Sequence, residues 1–429
     1  MDKHGRVRIC GLGVYLPEAK LSNEELEQGM PWLKTSSQWI REHTGIRERH
    51  VAAKDEHACD LGFKAAVEAL ELAHMQPEDI DLVLLATNTS SYVYPAGAAR
   101  IQHAFGADEQ GRLRMRRAGA LDLQQGCSSW IGSLGMASAM IRGGQFENVL
   151  CIGADVATRM VDWTSRDAIL LGDAACACVL TGDESRQDFA MPAFEVLGHF
   201  MRTDPMQAEA IRQPGVLRVS NNPLDHLGKN LDVEAGHLRE QLYGSGFYPD
   251  LTKDEPPFFQ MNGRQVYRFV KRVVPRQGFL EVLRDSGLLG DAPADLGLSG
   301  IDSLDEIKDR AERARLGAWL SSKVDLFVPH SANLSLNQEV ADELGIPFER
   351  MYVTLQKYAN TSAASVGLSL YEALRQPSEY ATLTKRDGRG EIKVPSEDIV
   401  TPMISENQVA LLLSFGAGNS WNYLVTRRL

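Results

Sequence analysis

The thiol of Cys127 stands where an apolar run gives way to a stretch of small residues, in ALDLQQGCSSWIGSLGMASAMIRGG over 120–144. A buried strand ending at Gly126 and a helix running on to the Gly143-Gly144 stop would put the sulfur at a helix N-terminus. There the macrodipole and unpaired backbone N–H groups favour a thiolate, which lowers the pKa and makes a usable nucleophile for acyl transfer. A cysteine in such a place, taken alone, is more often a packed core residue. Two other segments offer it company. VDLFVPHSANLSL over 324–336 is a buried strand ending in Pro329-His330, and YANTSAASVGLSL over 358–370 puts Asn360 and Thr361 just ahead of another small-residue helix. Singly, His330 reads as a structural histidine and Asn360 as a cap or turn residue. VALLLSFGAGNSWNYLV over 409–425 enters a Gly416-Ala417-Gly418 turn and leaves as a second strand. Such glycines let backbone N–H groups approach a ligand, as an oxyanion hole requires, although a Gly-rich hairpin turn looks the same.

Bringing these groups together needs an α/β framework, and the pattern predicts one. Buried strands are expected at 81–86, 118–123, 149–153, 174–180, 324–328 and 409–414, alternating with helical stretches. Ser22 with Glu25, and Ser303 with Glu306, look like capping boxes opening helices. EDIDLVLLATNTS (78–90) is similar to SSKVDLFVPHSAN (321–333), and ENVLCIGAD (147–155) to ENQVALLLSFGAG (406–418). The pairs suggest an internal duplication that places catalytic loops at a shared interface, with chance likeness between buried strands as the other reading. The segment 201–259, rich in Pro, Asp, Gln and Gly, reads as a long insertion. A second insertion, 290–317, contains the charged helix DEIKDRAERAR, read as a solvated surface helix.

The bulk properties bound the function. The chain has 429 residues, 44% of them apolar, enough for a large core. Its 45 Lys and Arg against 57 Asp and Glu give a formal charge of −12, which argues against nucleic acid or an anionic membrane as main partner. The N-terminal residues lack a signal-peptide pattern, and no eighteen apolar residues run together, so a cytoplasmic protein is expected. The six cysteines are scattered; Cys176 and Cys178 share a strand face without a completing pair, so packing is favoured over a metal site or disulfides.

Taken in order, the segments TSSQWIREHTGIRERH (35–50), GCSSW (126–130), LLGDAACACVL (170–180), MNGRQVYRF (261–269), PHSANLSL (329–336), NTSAASVGL (360–368) and SFGAGNSW (414–421) resemble the ketoacyl-ACP synthase III family. These are thiolase-fold condensing enzymes that start fatty-acid and some polyketide chains. The resemblance implies a duplicated thiolase-like fold, layered α-β-α-β-α, with halves at 1–190 and 191–429. It implies that Cys127 is acylated by a thioester, that His330 and Asn360 bind the carbonyl of a second, malonyl-type thioester, and that the backbone N–H groups of Cys127 and Gly418 form the oxyanion hole. Trp39 and Arg166 match positions that sandwich the adenine of coenzyme A, with Asn333 also on the substrate path. Tyr94 matches an aromatic inserted across a homodimer interface into the neighbouring acyl pocket. Arg264, Arg268, Lys271 and Arg272 match the helix face that docks the acidic acyl carrier protein. Acyl-CoA or acyl-carrier thioesters would be substrates, with no cofactor and no metal. Two departures stand out: His43 and Ser335 replace family arginines that grip phosphates. With the insertions, they imply a specialised enzyme with a different donor grip.

Overall fold

The computed structural model describes residues 5–205, 210–213, 258–290, 301, 304–381, 385–386, 392–393 and 398–429. Within them the aliphatic and β-branched runs form β1 (Arg8–Tyr15), β2 (Leu82–Ala86), β3 (Gly119–Leu123), β4 (Asn148–Val156), β5 (Asp173–Thr181), β6 (Phe194–Thr203), β7 (Leu326–Pro329), β8 (Val409–Gly416) and β9 (Ser420–Arg428). The helices that bear on the site are α1 (Asn23–Gly29), α2 (Ser37–Thr44), α3 (Ala58–Leu72), α4 (Ser129–Arg142), α5 (Gly263–Arg272), α6 (Arg310–Lys323), α7 (Leu334–Leu344) and α8 (Ser365–Ala373).

All nine strands join one mixed sheet in the order β7-β8-β9-β6-β1-β5-β4-β2-β3. The sheet reads the same outward from its middle. β1 pairs antiparallel with β5 and β5 antiparallel with β4, and β4, β2 and β3 then run parallel. On the other side β6 pairs antiparallel with β9, β9 antiparallel with β8, and β8 parallel with β7; a parallel bridge from Phe327 to Met351 stands in the place of β3. Arg8 and Ile9, opposite Glu195 and Phe194, stitch β1 to β6, with the Val196 N–H donating to Val7 O just ahead of β1. The two similar segment pairs fall on β2 with β7 and on β4 with β8, so their likeness reflects the duplicated thiolase-like architecture.

Alternate residues of each strand serve different cores. Leu82 and Leu84, Cys151, Cys176 and Cys178, Leu326 and Val328, and Leu412 pack with α4 and α8 in a central core. Val83, Leu85, Leu150 and Ile152 face α3 on one outer side. Phe327, Leu411, Leu413 and Tyr423 face residues of α5, α6 and α7 on the other. The result is the α-β-α-β-α layering. The central helices carry small residues because both neighbours press on them: a Cβ at Gly367 of α8 would lie 2.3 Å from Cys176 Sγ, and one at Gly135 of α4 would lie 2.1 Å from the His199 ring.

Local signals fared unevenly. Ser22 and Glu25 form a reciprocal capping box on α1. Ser303 lies outside the described residues, and the charged helix instead starts at Arg310 under Asp309, whose carboxylate accepts from the Ala311 and Glu312 amides. That helix is not merely solvated, because Leu316 and Leu320 are buried in the outer core. Residues 206–209, 214–257, 291–300 and 302–303, most of the two expected insertions, lie outside the described residues. Their flanks are described: Ile211–Arg212 pairs antiparallel with Gln260–Met261. No helix among the described residues is long and apolar enough to cross a membrane.

Candidate active site

The chain turns after β3 at Gly126, whose φ of +57° only a glycine adopts readily. A Cβ there would lie 2.5 Å from Ala417 N, and a Cβ at Gly416 would lie 2.5 Å from Cys127 N. These two glycines let the turn between β8 and β9 lie directly against Gly126 and Cys127. Ser128 and Ser420 lock the contact through a 2.6 Å hydroxyl pair.

Cys127, His330 and Asn360, more than two hundred positions apart at the extremes, line one cavity of about 310 Å³. His330 follows β7, its backbone N–H donating to Leu413 O at 2.7 Å. Its Nδ1 lies 2.5 Å from Ser365 Oγ, and its ring meets Phe415 edge-on with centroids 5.2 Å apart. Burial pulls the imidazole down to about 3, so it stays neutral at any working pH. A Ser365 hydroxyl donating to Nδ1 keeps the ring proton on Nε2, where it is available to a ligand. Asn360 is tied down on both sides: its N–H donates to Leu170 O at 2.9 Å and its carbonyl accepts from Gly172 N at 3.0 Å. Its Oδ1 accepts from the Ser362 amide at 2.9 Å, which identifies Nδ2 as the end of the side chain left to donate.

The thiol departs from expectation. Burial pushes Cys127 up to about 11, with the nearby Asp155 charge adding to the rise, and a hydrogen bond from Ser362 Oγ at 3.5 Å opposes them. The helix N-terminus does not overcome desolvation. Alkylation of Cys127 by iodoacetamide is therefore expected to quicken about tenfold per pH unit from pH 7 to 10, whereas an ordinary thiol levels off near pH 9. A plateau at pH 7 would mean a thiolate at rest.

The remaining expected residues separate. Gly418 has a φ of +75°, and the members of its turn that line the cavity are Phe415, Gly416 and Ala417. In this turn Gly416 lies against Cys127, and the Ala417 backbone against the adjoining Gly126. The Arg166 guanidinium lies 4.5 Å from the Trp39 ring centre, so the two touch and an adenine can enter between them only if Arg166 moves aside. His43 stacks on Trp39 at 4.2 Å and its Nδ1 sits 2.8 Å from Trp39 O, so it is engaged by its own helix. Asn333 lines the cavity, but its Oδ1 caps α7, accepting from the amide and hydroxyl of Ser335. Tyr94 is 83% exposed and lies outside this cavity, beside the exposed Tyr92 and Val93. On α5, Gly263, Val266, Tyr267 and Phe269 line the cavity, while Arg264, Arg268 and Arg272 are exposed outside. Lys271 is drawn to Glu339 of α7 at 2.6 Å, which neutralises the fourth member of the expected basic face.

Several site residues were not anticipated. Asn88, Ser362, and the apolar Met160, Leu170, Ile211, Phe259 and Met261 line the cavity. Behind them Asp155, fully buried, accepts from Thr87, Asn88, Thr89 and the Ala363 amide. The TNTS run directly after β2 and the acidic end of β4 were the available signals, since polar residues at the carboxyl ends of parallel strands gather at sites. Among the described residues no group of three or more His, Cys, Asp and Glu could hold a metal ion.

Comparison with known proteins agrees with this geometry. The profile of 3-oxoacyl-[acyl-carrier-protein] synthase III matches residues 121–196, and that of its C-terminal part matches 317–380. The β-ketoacyl-[acyl-carrier-protein] synthase III of Microcystis aeruginosa is 32% identical over 422 residues, covering 98% of this chain and 97% of the relative. The chain belongs to the β-ketoacyl-ACP synthase III family. The crystal structure of the synthase III of Pseudomonas aeruginosa superposes with a TM-score of 0.67 at 26% identity, over 99% of this chain and 98% of that one. The priming β-ketosynthase of the R1128 polyketide pathway shares the fold, with a TM-score of 0.65 at 22% identity over 100% and 98% of the two chains. The chain is therefore a thiolase-fold condensing enzyme, and the family profiles cover Cys127, His330 and Asn360. Residues 197–316, between the two profile matches, contribute Ile211, Phe259 and Met261 to the cavity wall.

Proposed function

We propose that this synthase III homologue takes an acyl group from a thioester onto Cys127 and condenses it with a malonyl-type thioester. The observation that carries the reading is the meeting of Cys127, His330 and Asn360 in one cavity. In loading, the Cys127 sulfur bonds the acyl carbon, the donor's carbon–sulfur bond breaks, and the thiol proton leaves on the donor's sulfur. A neutral resting thiol suits this exchange, since the proton it gives up is the one the leaving group needs.

The malonyl thioester then loses carbon dioxide, and the electrons of the broken bond form an enolate. Its oxygen takes hydrogen bonds from His330 Nε2–H and Asn360 Nδ2–H, two neutral donors that stabilise charge without neutralising the nucleophilic carbon. That carbon attacks the acyl group on Cys127, the Cys127 and Ala417 amides hold the oxyanion, and collapse frees the Cys127 sulfur to take up a proton. These steps draw on no resident cofactor or metal. The apolar wall of Met160, Leu170, Ile211, Phe259 and Met261 favours a hydrocarbon acyl group, consistent with fatty-acid initiation or a specialised starter unit.

The second reading is acyl transfer through the same thiol without decarboxylation, favoured by the departures at His43 and Ser335. Intact-mass analysis after incubation with acyl thioesters, coupled to carbon dioxide release from malonyl-carrier, separates the two. Loading with release supports condensation, and loading without release supports plain transfer.

We further infer that an acyl carrier protein docks on the outer face of α5, that a homodimer forms through the Tyr92–Tyr94 loop, and that the enzyme works in the cytoplasm. Arg264→Glu with Arg268→Glu is expected to raise KM for carrier-borne substrate about tenfold and leave KM for a coenzyme A substrate within twofold. An equal loss on both substrates would remove the docking face from consideration.

A further inference from the structure

Ser362 sits at the junction of the catalytic groups, and its environment dictates where its proton points. Its φ of +51° holds it in a left-handed conformation that non-glycine residues rarely adopt. From there its N–H holds Asn360 Oδ1 at 2.9 Å, and its Oγ lies 3.5 Å from Cys127 Sγ and 3.2 Å from Asn88 Nδ2. The same Asn88 nitrogen lies 3.0 Å from Asp155 Oδ2. Asp155 takes five hydrogen bonds on its two oxygens, two of them from the backbone amides of Asn88 and Ala363, so it acts as an acceptor. The Asn88 atom facing it must be the nitrogen. Since that nitrogen has only hydrogens to offer, Ser362 Oγ accepts from it and turns its own hydrogen elsewhere. The other partner of that hydroxyl among the described residues is the Cys127 sulfur.

We propose that Asp155, Asn88 and Ser362 form a one-way relay of hydrogen bonds that presents a hydroxyl donor to the Cys127 sulfur, with Asn88 as a positioning residue. The chain has a fixed sense. Asp155 polarises the Asn88 amide, the amide occupies a lone pair of Ser362, and a hydroxyl that accepts on one side donates better on the other. A buried anion that would on its own repel a thiolate is thereby read out at the sulfur as a donor. Ser362 also links the two stages of the reaction, since its amide sets the rotamer of Asn360 while its hydroxyl serves Cys127. Among the described residues Ser362 is the side chain that hydrogen-bonds the Cys127 sulfur.

The inference rests on Cys127 as the nucleophile of the proposed reaction, but its test needs no acyl substrate. Iodoacetamide reads the thiol of the full-length protein directly, so a failure of the relay is distinguishable from a failure of the condensation reading. Ser362→Ala is expected to slow alkylation of Cys127 about tenfold at pH 7.5 and to displace the pH–rate curve upward by about one unit. Asn88→Ala should displace the curve in the same direction, and the double variant no further than Ser362→Ala alone, because Asn88 acts only through Ser362. An unmoved curve in Ser362→Ala overturns the relay by itself, whatever Asn88→Ala does to folding. A full Asn88→Ala effect persisting in the Ser362→Ala background, or a fall in melting temperature with no displacement of the curve, overturns the role of Asn88.

Discussion

Cys127→Ala is expected to gain no acyl mass from any thioester and to form no condensation product, a loss of about 10⁴-fold or more against the native chain. The size of the effect follows from the lack of a substitute. Cys10, Cys151, Cys176 and Cys178 are fully buried in the packed cores and Cys59 is 8% exposed, so no other described thiol faces the cavity. The measurement is intact mass with peptide mapping. An acyl adduct retained by Cys127→Ala would move the carrier function to another residue and undo the assignment.

His330→Ala and Asn360→Ala are expected to behave differently, separating the two half-reactions. Each removes one neutral donor from the enolate oxygen, so carbon dioxide release should fall about 10²- to 10³-fold per donor. Loading of Cys127 uses neither donor and should stay within several-fold of native. The pH dependence carries a sign. With the imidazole held down to about 3, His330 is neutral above that pH and gains a proton only below it. Its titration therefore contributes no acid limb to decarboxylation between about pH 5 and 8. Single-turnover release from malonyl thioester by pre-acylated enzyme checks both statements. A limb near pH 6 that disappears in His330→Ala would mean the imidazole is solvated during turnover.

The framework was largely legible because buried parallel strands announce themselves as short aliphatic runs. All six expected strands are present with ends within three residues, and the likeness of 78–90 to 321–333 marked the duplicated β2 and β7. That Cys127, His330 and Asn360 share a cavity was legible from residue type and surrounding motif. What escaped depends on depth and direction, which no pattern encodes. The thiol's rise follows from desolvation, visible only once the sulfur is packed beneath the turn from β8. The close approach of Gly416 to Cys127 and of the Ala417 backbone to Gly126 has no local signature either. Ser365 lies thirty-five positions beyond the histidine it touches, and Asn88 reaches Ser362 across 274 positions, so neither pairing has a local signature. Lys271 fitted the helical spacing of a basic face, but spacing is blind to Glu339 on the neighbouring helix.

The mirrored sheet divides the cavity between two halves of the chain. The first half contributes the sulfur, and the second contributes the imidazole, the carboxamide and the hydroxyl that steadies them. Neither half holds a complete reaction centre, so a polypeptide severed in the exposed stretch between β5 and β6 would yield two inert fragments. Chemistry would return only on complementation, when the short join of β1 to β6 and the burial of α4 against α8 rebuild the shared interior. Such an arrangement confines the proposed chemistry to the fully assembled molecule.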